Sequence, residues 1–87
     1  MSGLEKLPNL GAVMVQKLKE AGIETPEQLR AMGAKQAWRQ IRALTDPDIC
    51  LSALQALEGA VRGVRWHDLP PEAKQELKAF YQAEKGK

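Results

Sequence analysis

The sequence predicts an all-α fold, on three observations. No stretch alternates apolar and polar residues as a half-buried strand would. Apolar residues instead recur every three to four positions in several short segments, the period of a helix with one buried face. Between those segments stand Pro8, Gly22, Pro26, Gly33, Pro47, Gly63, Pro70 and Pro71, residue types that stop or start helices. The chain is thereby divided into five short helices with short connectors, a bundle around the fourth.

Residues 2–7 suit one short helical turn with Leu4 and Leu7 on the same side, and Pro8 forbids its continuation. In Pro8-Asn9-Leu10-Gly11, Asn9 and Gly11 tolerate turn geometry, including positive φ. The first long helix is expected from about Leu10 to Ala21. At ~100° per residue, Leu10, Met14, Val15, Leu18 and Ala21 share one arc, the core face. Val13 falls outside that arc, beside Lys17 and Glu20, as a β-branched apolar residue on the solvent side. Gly22 is a natural stop. Thr25-Pro26-Glu27-Gln28 reads as a capping box with proline at the first helical position. It starts a short helix with Leu29 and Met32 inward, Ile23 stapling its entry and Gly33 ending it. Tight turn, helix, Gly22-Ile23 and capped second helix are the grammar of a helix-hairpin-helix unit, here residues 4–33. In such units the turn sits at a helix N-terminus whose unpaired N–H groups can hold a phosphate.

The third helix, residues 34–44, carries Ala34, Ala37, Trp38, Ile41 and Leu44 as its apolar stripe, with Lys35, Arg39 and Arg42 on another face. Asp46-Pro47 is expected to stop it and cap the next. The fourth helix, residues 48–62, is the most apolar. Ile49, Cys50, Ala53, Leu54, Ala56, Leu57, Ala60 and Val61 cover nearly half its circumference, which places it centrally. Val64 to Leu69 form an irregular connector. The last helix, residues 70–84, opens with Pro70-Pro71-Glu72 and docks by a narrow stripe of Ala73, Leu77, Phe80 and Tyr81. The tail from Glu84 to Lys87 is expected to fray.

A chain of 87 residues suits one small domain, 1–87, and buries only about 60–65% of its unfolded surface. Net charge is +2, too small to argue for nucleic acid by itself. Residues 1–44 hold seven Lys/Arg against four Asp/Glu, and residues 45–87 hold six against seven, so the hairpin half is mildly basic. Cys50 is the only cysteine; no internal disulfide is possible, and it reads as a small buried hydrophobe. His67 is the only histidine, which excludes a His cluster or a second His metal ligand. The acids Glu5, Glu20, Glu24, Glu27, Glu72 and Glu76 read as helix-surface charges and caps. No phosphate-binding GxxxxGK[ST] or GxGxxG loop is present. The expectation is a non-enzyme with no cofactor and no metal. No signal peptide and no apolar run of the ~18 residues a membrane span needs are present, so the chain is expected to be cytoplasmic.

Two surfaces remain as candidates for function. One is a phosphate hook: the amides of Asn9, Leu10 and Gly11, with charge from Lys6 and Lys17, plus the Lys35/Arg39/Arg42 stripe. Such binding would follow the backbone and ignore base sequence. Against it, Asn9 replaces the first glycine of the turn, and Ala12 and Val13 are neither basic nor hydroxylated. The other is a protein-docking face built on Val13 and Leu51, apolar residues the stripes do not bury.

Several segments resemble a known family. They are Leu7-Pro8-Asn9-Leu10-Gly11, Leu18 to Ile23, Glu27 to Ala34, Ala56 to Gly63 and Trp66 to Pro70. Together they resemble the C-terminal domain of the TfoX (Sxy) family of bacterial competence regulators, from about Leu4 to Leu77. The resemblance implies a SAM-domain-like helix-hairpin-helix fold and a regulator linked to DNA uptake. It also implies a protein partner in transcription regulation, alongside a cyclic-AMP-dependent activator, and it supplies no catalytic residues. Members often carry an N-terminal α/β domain, expected to be missing here because the resemblance begins at residue 4. The hairpin also resembles the one in the C-terminal domain of the α-subunit of bacterial RNA polymerase. There, basic and hydroxyl residues just after the turn touch the DNA backbone; Gly11 matches, while Val13 and Met14 stand at those positions. The combined expectation is a regulatory or adaptor module acting by protein–protein docking. The alternative is weak, sequence-independent DNA binding through Asn9, Leu10, Gly11, Lys17 and the third-helix stripe.

Overall fold

Five α-helices form: α1 (Ala12–Glu20), α2 (Pro26–Met32), α3 (Ala34–Leu44), α4 (Leu51–Arg62) and α5 (Pro71–Lys85). Short 3-10 turns span Leu4–Lys6 and Trp66–Asp68. The computed structural model describes residues 3–86, the side chain of Glu5 excepted. The Ser2 start of the opening turn, the Glu5 acid and the Lys87 end of the tail lie outside the described residues. No strand occurs among the described residues.

The apolar pattern explains the packing. α4 touches α2, α3, α5 and the second 3-10 turn, as its wide apolar arc requires. It buries Leu54, Leu57, Gly59 and Ala60. Leu4, Leu18, Ile23, Leu29, Ile41 and Ile49 complete the core around Trp38, which is fully buried. Each large apolar side chain removed from water contributes about 1.5–3 kcal/mol. The Trp38 indole N–H donates to the Cys50 carbonyl at 3.1 Å, so its polar atom is satisfied in the core. Its ring meets Phe80 and Tyr81 of α5 edge-on, with centroids 5.8 Å apart in both pairs. That contact seats α5 on one side only.

The expected punctuation holds where it is local. Thr25 Oγ1 accepts from the Gln28 N–H, and Gln28 Oε1 accepts from the Thr25 N–H, both at 3.1 Å. This is the reciprocal capping box of α2. Gly33, at φ 84°, ends α2 and opens α3 in a single residue.

Six expectations are corrected. α1 begins at Ala12 rather than Leu10, because Asn9 takes φ 71° and Gly11 is an extended N-cap. α4 begins at Leu51 rather than residue 48. The Asp46 carboxylate accepts from the Asp48 N–H at 3.1 Å and from Lys17, closing a separate turn instead of capping α4. Cys50 therefore becomes the N-cap of α4 and is exposed, not buried. Leu44 is 63% exposed: it is the last residue of α3, beyond Ile41, the last residue that this helix buries. α5 begins at Pro71, with Pro70 as its N-cap, and runs to Lys85. Glu84, expected in a frayed tail, is 8% exposed because two arginines of α3 hold it.

Candidate functional site

The hairpin turn is fastened to the connector after α4. Asn9 Nδ2 donates to the Val64 carbonyl at 2.9 Å, and Asn9 Oδ1 accepts from the Trp66 N–H at 3.1 Å. Gly59 of α4 lies beneath this junction. A Cβ at Gly59 would collide with Asn9 Nδ2 and with the Val64 carbonyl oxygen, so glycine is needed there for space rather than for backbone conformation. The Asn9 side chain is thus engaged inside the fold, and the turn offers a ligand its backbone only.

Beyond the turn, the first turn of α1 has no side-chain cap and no acidic residue. Ala12 and Val13 are exposed there, Val13 by 70%. The adjoining connector exposes Val64 and Trp66. The Trp66 ring meets His67 edge-on, with centroids 4.7 Å apart. Lys74 Nζ of α5 stands 6.0 Å from the Trp66 ring centroid and donates to the His67 carbonyl at 3.2 Å. Leu51, the other docking candidate, is half-buried and packs against the core; Val13 alone of the two stands free in solvent.

The basic candidates have carboxylate partners. Lys17 Nζ lies 2.6 Å from Asp46, and Lys35 Nζ lies 2.6 Å from Glu76. Arg39 Nη2 donates to Glu84 at 2.8 Å, while Arg42 Nη1 donates to the Glu84 backbone carbonyl at 3.1 Å. The bond from Lys17 holds the Asp46 carboxyl below the usual carboxylate range, and the bond from Lys35 does the same for Glu76. The bond to Glu84 raises the Arg39 guanidinium above its ordinary value. Arg39 also covers the Phe80 ring at 5.0 Å and Arg42 the Trp38 ring at 5.5 Å. The stripe therefore faces α5, whereas the hairpin turn faces the connector, and the two do not form one surface. A shallow groove lined by Arg39, Arg42, Ala43, Pro47 and Glu84 lies beside the stripe; its cations and its acid already pair with each other.

Among the described residues no group of three His, Cys, Asp or Glu side chains could hold a metal ion. No helix among them is long and apolar enough to cross a membrane. His67 is exposed on the 3-10 turn.

Sequence reasoning passed over Gly59 and the exposed pair Val64 and Trp66, and gave Asp46 and Glu84 other roles, a helix cap and a frayed tail. Gly59 carried a usable signal. An interior helical glycine costs about 1 kcal/mol against alanine, and an apolar helix retains one only for close approach. The partners of Asp46 and Glu84 come from remote segments and carry no local signal.

A model of the TfoX C-terminal domain matches residues 1–81. Two solved structures are similar over most of their length. An uncharacterised protein from Listeria monocytogenes, triclinic form, superposes with a TM-score of 0.93 at 48% identity, covering 95% of this chain and 93% of that one. A protein of unknown function from Listeria monocytogenes, tetragonal form, gives a TM-score of 0.89 at 49% identity, covering 92% and 96%. No curated protein matches the chain.

Proposed function

The chain belongs to the TfoX C-terminal domain family, and from that premise we propose a non-enzymatic regulatory module that docks on a protein partner in transcription control. The setting is the one the family resemblance implies, cytoplasmic regulation linked to DNA uptake. The observation that carries this reading is the pairing of Lys17, Lys35, Arg39 and Arg42 with Asp46, Glu76 and Glu84. A phosphate would have to displace a charge-assisted bond at each of these positions. Val13 supports the same reading, since it offers an apolar contact at the end of the molecule where the related hairpin offers a base. Such a residue on a fixed helical turn suits a partner surface better than a DNA backbone.

A photo-crosslinking residue at Val13, compared in cells with one at exposed Lys19, tests the proposal. A discrete adduct with a component of the transcription apparatus from Val13 alone is expected. Equal adducts from both positions, or none, would overturn it.

The uncapped first turn of α1 favours a second reading, a weak hold on the DNA backbone. Titration with a random-sequence duplex then shifts the Leu10, Gly11 and Ala12 amides, and the shifts fade with salt. Amides that stay in place remove this reading and leave docking.

A further inference from the structure

Four large hydrophobic side chains among the described residues are notably exposed, and three of them, Val13, Val64 and Trp66, belong to the two segments that Asn9 ties together. Two open cations stand among them. Arg65, between Val64 and Trp66, and Lys74, over the Trp66 ring, form no ion pair among the described residues, as is also true of Lys6, Lys19, Arg30, Lys78 and Lys85 elsewhere on the surface. What distinguishes Arg65 and Lys74 is that they flank exposed apolar side chains. The N-terminus of α1 adds partial positive charge with no acid to offset it. Asp68, at the far end of the 3-10 turn, is the one carboxylate of the 64–68 segment.

We infer that this face takes an acidic peptide segment carrying an apolar anchor. The anchor packs on Trp66 and Val64, and flanking carboxylates reach Arg65, Lys74 and the first-turn N–H groups of α1. The inference rests on the docking reading and adds the chemistry of the partner. A second copy is disfavoured, because two such faces would oppose Arg65 and Lys74 to themselves. Nucleic acid is disfavoured because two full side-chain charges give little phosphate affinity at moderate salt.

The test is selection of a random linear dodecapeptide library against the full chain. Enriched peptides are then titrated into the parent protein and into Arg65→Glu, Lys74→Glu and Trp66→Ala variants whose helical circular dichroism is intact. Enrichment of Asp or Glu beside Leu, Phe or Trp is expected, with amide shifts at 12–13 and 64–67. Affinity for Arg65→Glu should fall at least about tenfold and recover when an acid of the peptide is changed to lysine. Peptides without acids that still lose binding to Trp66→Ala would overturn the acidic assignment and leave docking intact. Peptides indifferent to all three substitutions, or no enrichment, would overturn the inference outright, the Val13 crosslink then judging the docking reading by itself. A random-sequence duplex that shifts the same amides and is lost in Arg65→Glu would transfer the face to nucleic acid.

Discussion

Asn9 combines two properties that few side chains share. It tolerates φ 71°, and its amide presents one donor and one acceptor to a carbonyl and an N–H that lie 55 and 57 residues away in sequence. Asn9→Ala removes both bonds and leaves an alanine at positive φ. A loss of about 1–3 kcal/mol in urea unfolding is expected. Asn9→Gly keeps the backbone permissive and should fall between alanine and the parent; equality with the parent would mean that the two bonds contribute nothing. Gly59 gives the complementary test. In an unhindered helix, Gly→Ala stabilises by about 1 kcal/mol. Here the new methyl meets Asn9 and the Val64 carbonyl, so the sign reverses and a loss of about 1–3 kcal/mol is expected. The amides of residues 9 and 64–66 should shift, while those at the end of α5 stay. The positive φ of Asn9 was legible from its residue type. The partners of its side chain were not, because tertiary hydrogen bonds leave no periodic mark on the chain.

At the scale of elements, periodicity reveals which face of a helix is polar but not what lies opposite. This is why the Lys35/Arg39/Arg42 stripe reads as a solvent or phosphate surface in the sequence, yet serves as the clasp between α3 and α5. Trp38, Phe80 and Tyr81 supply the apolar contact, and Glu84 with Glu76 supplies the counter-charge. The same remoteness misplaced the start of α4: Asp46 has the composition of an N-cap, but Lys17 of α1 and the Asp48 N–H engage its carboxylate. Glu84→Ala tests the clasp in two ways. Hydrogen exchange should quicken over the last turn of α5 and leave α1 and α2 unchanged. Losing the Glu84 carboxylate also bares Arg39 and leaves Arg42 only its bond to the backbone carbonyl of residue 84, so weak affinity for a random duplex should rise and its salt slope steepen. An unchanged affinity would show that pairing with Glu84 is not what withholds these arginines from DNA.

Across the whole molecule, the fold class was legible because helix period and helix punctuation are local, and α4 lies at the centre as its broad apolar arc implied. The face around Trp66 was not, since the bonds from Asn9 that bring the hairpin turn to the connector span 55 and 57 residues. The same long-range pairing sets how stability responds to acid. Asp46 and Glu76 are held below the usual carboxylate range by bonds from Lys17 and Lys35. In the unfolded chain both carboxyls return to ordinary values, so the unfolded state takes up protons first as pH falls. Stability from these pairs is therefore complete above the ordinary carboxylate values and is lost as pH drops through the lower, folded-state values. The melting temperature should be flat between about pH 7 and 5 and decline below about pH 4. A Lys17→Met, Lys35→Met double variant should melt lower at neutral pH and show a shallower acid decline, because Asp46 and Glu76 then titrate similarly in both states. Salt at neutral pH should narrow the gap between parent and variant, since both pairs are partly exposed and screened. Acid limbs that run parallel in the two proteins would assign the acid sensitivity to other carboxylates.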